Sequence, residues 1–511
     1  MKPHTKADRP QDDAEFLATL GYKQELDRRM GGFSNFAISF SIICILAGGI
    51  TSFHLGFNAL GGGAIGIGWP LACLFSLIVA ATMGQLASAY PTAGGLYHWA
   101  SILGGRGWGW VTAWLNLAGL ITVLAAINVG TFLFIMGALG PKLGISWEAL
   151  TPQEQFGYQA VAVIVMSASQ GYFNHRGIRL TTRLTDFSGY LILVVALALT
   201  ISLLVFTRVF DFSRLYTFVN YSGEAGGDVW PASGNFLYLF ALGLLLPAYT
   251  ITGFDASAHT SEETISARIN VPKGILRSVL VSGFAGWIML AAVVLAMPNP
   301  DLAARQGAGV FFSVMDGVLP GWLSLTLFIG IALAQYLCGL ATVTSASRML
   351  YAFARDGGVP FSTQLRKVSP RYLTPAHSVW VCVALSALFT LYTPVYSTIT
   401  VVCVIFLYLS YVLPTALGLW YHGRTWSDFG PWDLGRWYKP LAFISVLGSL
   451  ILIWIGVQPP NYKAVSILLS VAAIMTLYWM AIEHRRFQGP RLLTKAAFSE
   501  GLEKPVVRGV T

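Results

Sequence analysis

Apolar runs close to 20 residues long recur along almost the whole chain. That recurrence limits its possible folds more than any other feature. The runs fall at roughly 33–55, 64–88, 108–137, 158–173, 186–206, 234–260, 275–297, 321–351, 376–393, 396–421, 440–457 and 464–482. A run of this length crosses the hydrocarbon of a bilayer as a helix. It must be a helix, because nothing in lipid can satisfy its backbone N–H and C=O groups except its own turns. The expectation is an all-α polytopic membrane protein with about twelve transmembrane helices, here called spans 1 to 12. A polar segment, 1–30, would precede a membrane body, 31–482, and a tail, 483–511, would follow it. No long polar stretch remains for a soluble domain. Only 11% of the residues are charged, about half the share of a soluble protein.

The net charge of +9 would suit nucleic acid if it lay on one face of a domain. Instead, Lys and Arg sit in short segments between the runs. With the N-terminus in the cytoplasm, the even-numbered loops are cytoplasmic and hold fifteen Lys and Arg, against five in the odd-numbered loops. This is the bias that orients membrane proteins, and moving one span would scramble it. The first 30 residues lack the apolar core of a signal peptide, so both termini are expected in the cytoplasm of a cell-membrane protein. Cys44, Cys73, Cys338, Cys382 and Cys403 all lie within apolar runs without CxxC spacing. Disulfides and zinc are therefore not expected, and the cysteines read as small core residues.

Two spans look interrupted. Span 1 reads Ser41-Ile-Ile-Cys-Ile-Leu-Ala-Gly48-Gly49-Ile50-Thr51-Ser52, and span 6 reads Pro247-Ala-Tyr249-Thr250-Ile-Thr252-Gly253-Phe254-Asp255. Glycine beside Ser or Thr weakens a helix in mid-membrane. Such glycines also serve close helix packing. Here, however, the two sites lie five spans apart, where a five-plus-five inverted repeat places its broken helices.

Four stretches carry a family resemblance. They are Gly32-Phe-Ser-Asn-Phe-Ala-Ile-Ser-Phe-Ser-Ile-Ile, Tyr90-Pro-Thr-Ala-Gly-Gly-Leu-Tyr-His-Trp, Gly253-Phe-Asp-Ala-Ser-Ala-His-Thr-Ser-Glu-Glu263, and Ser345-Ala-Ser-Arg-Met-Leu-Tyr-Ala-Phe-Ala-Arg-Asp-Gly-Gly-Val-Pro360. Together they resemble the amino acid–choline branch of the amino acid/polyamine/organocation superfamily. The resemblance implies the LeuT-type fold with broken spans 1 and 6, and secondary transport of a solute. Members of the branch carry 4-aminobutyrate, other amino acids, choline or related amines.

Asp255 is the leading candidate for chemistry. It is the one acidic residue well inside an expected span, with no basic residue in that span. An intramembrane carboxylate is costly enough to be a functional-site hypothesis by default. The competing reading is a cap on the lower half-helix. Unwinding at Gly48, Gly49, Ile50 and Thr51 would free amides that receive a carboxylate. Carbonyls near Tyr249 and Thr250, with Thr252, Gly253 and Phe254, would receive an ammonium. A quaternary amine would need aromatic faces instead, for which Phe53, Trp114, Tyr249 and Phe254 are available. The resemblance further implies that Asn116 lines the site, that Tyr249 sits at an aromatic gate, and that Asp356 pairs with Arg28 or Arg29 as an inner gate. It also places Thr342, Thr344 and Ser345 near the ion site of sodium-coupled relatives. The lysine that some proton-coupled relatives carry in span 5 is absent here.

The expected ligand is an amino acid or small amine, coupled to H+ or Na+, with no cofactor, metal or nucleic acid. A choline, ethanolamine or polyamine carrier is the nearest alternative. Polyamines would call for more than one buried acid. A membrane-embedded enzyme would need clustered His, Asp or Glu, and no two histidines stand at i, i+4. A channel would lack alternating gates. The glycine clusters at 61–63 and 104–107 lack the Lys-Ser/Thr of a phosphate loop.

The topology makes a direct prediction. A reporter fused at Arg179 or Lys367 should read as cytoplasmic, and one at Asp228 or Gly307 as periplasmic. Reversal at any of the four breaks the twelve-span arrangement.

Overall fold

The computed structural model describes residues 10–145 and 147–491. The outer parts of the expected terminal segments, 1–9 and 492–511, lie outside it. Among the described residues the chain is helical, without strands. Among the described residues, nine helices are long and apolar enough to cross a membrane: Gly32–Gly49, Ala64–Ala89, Arg106–Leu139, Ile178–Phe206, Ala267–Ala296, Gly321–Arg355, Tyr396–Tyr421, Gly435–Gly456 and Tyr462–Arg486. They are spans 1, 2, 3, 5, 7, 8, 10, 11 and 12. Span 4 is Pro152–His175, span 6 begins as Phe236–Thr250, and span 9 is Ala376–Tyr392.

These three depart from the long apolar pattern for separate reasons. Span 4 buries a polar face. Its Gln170 exchanges hydrogen bonds with Asn128 of span 3 at 2.9 and 3.0 Å, and Asn174 bonds to Leu340 O and Thr344 of span 8. Side-chain hydrogen bonds between helices stand in for apolar packing there. Span 9 has only 17 residues. Span 6 is broken. Shorter helices also form without any long apolar run to announce them, among them Pro10–Thr19 before span 1 and Leu96–Gly104 and Val310–Val318 in the connections.

The packing follows the exchange of span 1 with 6, 2 with 7, 3 with 8, 4 with 9 and 5 with 10. Counterparts touch each other in the pairs 1 and 6, 2 and 7, 3 and 8, and 4 and 9. Span 3 lies against span 10 as span 8 lies against span 5, and span 1 meets span 5 as span 6 meets span 10. This is the pattern of an inverted repeat. Spans 11 and 12 stand outside it, and apolar side chains such as Val194 and Leu197 face outward.

Both interruptions exist, but the one in span 1 is displaced. Its helix stops at Ile43, and Cys44 takes φ 11°, ψ 91°, outside any helical region. Ile45–Gly49 form a wide π-turn, after which the helix resumes and ends as Phe53–Leu60. The glycine pair therefore lies beyond the break rather than at it. Gly48 is a packing position: a Cβ there would lie 2.9 Å from Thr250 Cα on span 6. In span 6 the helix ends at Thr250, and Ala256–His259 restarts it after an irregular stretch. Gly253 has φ +81°, which favours glycine, and a Cβ there would strike Ile42 of span 1 at 2.4 Å. The two breaks thus press against each other.

The neighbouring glycines should respond differently to one methyl group. Gly48→Ala forces backbone apart and should cost about 1–3 kcal/mol, lowering the melting temperature in detergent. At Gly49 the new Cβ meets only Leu290 and Met289 at 3.7–3.8 Å, so Gly49→Ala should melt close to wild type.

Candidate functional site

The two breaks approach each other at Gly253 and Ile42, two residues before Asp255, which is fully buried. Asp255 stands at the start of the short helix Ala256–His259, but its side chain makes no cap bond to that helix. The capping reading therefore fails. Instead, Oδ1 accepts from the Tyr411 hydroxyl of span 10 at 2.8 Å, and Oδ2 accepts from Asn116 Nδ2 of span 3 at 2.9 Å. Oδ2 also lies 3.2 Å from His259 Nε2, one turn along. The expectation of a lone carboxylate without a basic neighbour is corrected here: the span supplies its own imidazole. Three spans converge on one carboxylate. Asn116 also reaches Ser410 Oγ, and its Oδ1 has no hydrogen-bond partner among the described residues.

The freed backbone groups around the breaks are taken by neighbouring side chains. Gly253 N–H donates to the Tyr411 hydroxyl, and Phe254 O accepts from Ser39 of span 1. Thr252 Oγ1 donates to Tyr249 O. In span 1, Ile42 O accepts from the Cys338 thiol and Leu46 O from Gln335 Nε2, both on span 8. Cys44 and Cys338, expected as filler, thus stand at the break itself. Gly48 and Gly49 are buried. Ile50 and Thr51 line a cavity of about 900 Å³ at the end opposite the basic loops, together with His54, Tyr396 and Asp316.

Tyr396 lines that cavity and ties it to span 1 and span 6. Its hydroxyl meets Thr51 at 2.6 Å and Ser52 at 3.1 Å, and Tyr249 packs edge-on at 6.1 Å. The aromatic residues considered for a quaternary amine do not form one ring. Phe53 stacks on Phe57, Trp114 meets Trp110 and Phe353 edge-on, and Phe254 packs at a tilt against Tyr411. Thr342 donates to Cys338 O and Thr344 to Asn174, leaving Ser345 Oγ the unpartnered hydroxyl of the three.

The opposite, basic end is sealed by ion pairs. Arg348 and Glu263 meet in two bonds of 3.0 Å, and Arg355 and Glu262 in two of 2.8–2.9 Å. All four residues are buried, so these arginines are not the solvated loop charges their sequence position suggests. The expected pairing of Asp356 with Arg28 is not made. Asp356 Oδ2 instead accepts from Tyr22 and Tyr97 and lies 3.0 Å from His98 Nε2. Burial, with Asp356 beside it, holds the Tyr22 hydroxyl well above the ordinary phenol range, so it remains a donor. Arg28 reaches Ser261 O and Thr264 O at the foot of span 6, and Arg29 pairs with Asp27. The N-terminal segment is thereby tied under the bundle. His259, Tyr411, Tyr396 and the Glu–Arg pairs were not singled out from sequence. For His259 the signal was present, four residues beyond Asp255 in helical register.

Comparison with known proteins gives a consistent picture. The family model described as amino acid permease matches residues 30–481. Amino-acid permease BAT1 of Arabidopsis thaliana is 31% identical over 507 residues, covering 93% of this chain and 95% of that protein. Its homolog from Oryza sativa subsp. japonica is 30% identical over 512 residues, with 93% and 94% covered. The GABA-specific permease of Saccharomyces cerevisiae is 31% identical over 379 residues, covering 72% of this chain and 64% of that protein.

Removing one partner of a buried ion pair strands the other charge, which costs about 3–5 kcal/mol. Arg348→Leu should therefore melt far below wild type. Removing both charges with Glu263→Leu and Arg348→Leu together should recover most of the loss. A double variant no more stable than the single one would show that the pair does not act as a unit.

Proposed function

The chain belongs to the amino acid permease family and is a multi-pass membrane transporter, and from that premise we propose a specific cargo and coupling. The cargo is an amino acid of the 4-aminobutyrate kind, carried across the cytoplasmic membrane by alternating access. It would bind where the breaks of spans 1 and 6 meet, among Gly48, Gly49, Ile50, Thr51, Asn116, Tyr249, Thr250, Thr252, Gly253 and Phe254. Asp255 would couple its movement to a proton. The basic end would face the cytoplasm, as the loop charges favour.

The observation that carries this reading is the Asp255 carboxylate. It is fully buried, fails to cap its helix, and is gripped by spans 3, 6 and 10. A carboxylate placed only for stability has no need of such company, whereas a change in its charge would be felt by three moving parts at once. Closure at both ends supports an occluded stage of the cycle, with Tyr396 and Tyr249 above and the Glu–Arg pairs below. The absence of an aromatic ring around one point favours an amino acid over choline, and the name of the yeast relative agrees.

Ligand chemistry is testable on purified protein. An amino acid that binds only the folded state stabilises it by about 2.7 kcal/mol at a hundred times its Kd, so the cargo should raise the melting temperature. Amino acids should compete for uptake, and simple amines should not. Strong competition by choline with none by amino acids would reassign the cargo. Asp255→Asn keeps shape but cannot carry the proton. It should fold, lose accumulation against a gradient and flatten the pH dependence of uptake. Wild-type accumulation and pH profile in that variant would remove Asp255 from the mechanism.

A further inference from the structure

His259 is buried among groups that fix its protons. Its Nδ1 lies 3.1 Å from the carbonyl oxygen of Ala93, and its Nε2 lies 3.2 Å from Asp255 Oδ2. A carbonyl only accepts, so Nδ1 must carry a hydrogen. One further proton then has to lie between Nε2 and Oδ2, because a bare imidazole lone pair facing a carboxylate is repulsive. The proton can sit on nitrogen, giving an ion pair, or on oxygen, giving a neutral pair. The proton count is the same either way. The other titratable or charged groups nearby are Tyr411 from span 10, Glu262 at the foot of span 6, Arg355 from span 8, and His98 from the helix Leu96–Gly104. Asp356, Tyr22 and Tyr97 stand behind them.

The backbone of Ala93 makes a second bond. Its N–H donates to Glu262 Oε1 at 3.0 Å, the same carboxylate that closes on Arg355. One residue of the loop after span 2, through the two peptide units that flank it, thus touches both the central imidazole and the ion pair sealing the basic end. The loop is held close there, since a Cβ on Gly95, at φ +47°, would lie 3.3 Å from His259 Cε1.

We propose that Asp255 and His259 form a dyad that shares one proton, and that the Ala93 carbonyl makes closure of the basic end depend on a second proton, the one held on His259 Nδ1. This rests on the proton-coupled reading above and adds a partner and a linkage to it. In the closed state Nδ1–H is obligatory. When Glu262 and Arg355 separate and the loop withdraws, Nδ1 loses its acceptor and meets water. The Nδ1–H bond then breaks and its proton passes to that water at the basic end, while Nε2 keeps its hydrogen and donates it to the ionised Asp255. The closed state holds one more proton than the discharged open state, so falling pH favours closure. His259 acts as a positioning and proton-holding residue, and no direct contact with cargo is required of it.

The test uses the full chain in two settings. In nitrogen-15 histidine spectra of the protein in lipid nanodiscs, with His259→Gln assigning the signal, Nδ1 should be protonated at neutral pH. An unprotonated Nδ1 overturns the proposal whatever the variants do. In proteoliposomes, radiolabelled 4-aminobutyrate and a mixture of the protein amino acids serve as probes. His259→Gln should lose about tenfold or more of pH-gradient-driven accumulation, a larger loss than in exchange, and its pH profile should flatten. His259→Gln with the coupling ratio and pH profile of wild type overturns the dyad but leaves the Asp255 reading standing. A profile moved by His98→Gln and not by His259→Gln also overturns it. If a sodium gradient drives wild-type uptake and a pH gradient does not, the proton-coupled reading falls and the dyad falls with it.

Discussion

Every backbone N–H and C=O inside an apolar slab must find a partner within the protein, and the arrangement around the two helix breaks follows from that requirement. Breaking spans 1 and 6 releases polar groups at the worst possible depth. Span 8 answers with the Cys338 thiol and Gln335 amide, span 10 with the Tyr411 hydroxyl, and span 1 with the Ser39 hydroxyl. The same side chains consequently fix how the spans lean on one another. Tyr411 bonds both to a freed amide and to Asp255, so the state of the carboxylate and the state of the backbone are read by one group.

A second constraint acts at the basic end. Buried charges persist only when paired and hydrogen-bonded, and Glu262 and Glu263 each meet an arginine in two bonds. Pairs of this kind are weak evidence of stability but good devices for two-state behaviour, because separating them requires water to reach both partners. The N-terminal segment joins the seal through Tyr22, Gln24 and Arg28. It also joins through the backbone amides of Arg29 and Met30, which donate to Glu263 O.

Most of the architecture was legible in the sequence. Hydropathy and the loop charges act span by span, so twelve spans could be read without any tertiary knowledge. Span 4 survived that reading despite its polar face because a shorter apolar run, 158–173, remains inside it. The break in span 6 was legible because Gly253 and Asp255 lie at it. The break in span 1 was misplaced by four residues, since glycine marks close approach as well as unwinding, and Gly48 serves the former. Asn116 was found and Tyr411 was not: nothing in a tyrosine's own span announces that it faces a carboxylate 156 residues away. Arg348 and Arg355 fall among the fifteen charges counted in the even-numbered loops, because a charge count cannot separate the end of a helix from the loop beyond it. The adjacent Glu262 and Glu263 were the available hint. The inner gate assigned to Arg28 and Asp356 by resemblance went to other partners, each buried among nearer groups.

The central claim is that cargo is held where the two breaks press together, beside Asp255. A cryo-electron microscopy map of the protein with a stabilising amino acid tests it most directly. Density is expected between the Cys44–Gly48 turn of span 1 and the 251–255 stretch of span 6, within reach of Asn116 and beneath Tyr396. Density confined to the outer cavity beside His54 and Asp316, with the breaks still packed against each other, would contradict it.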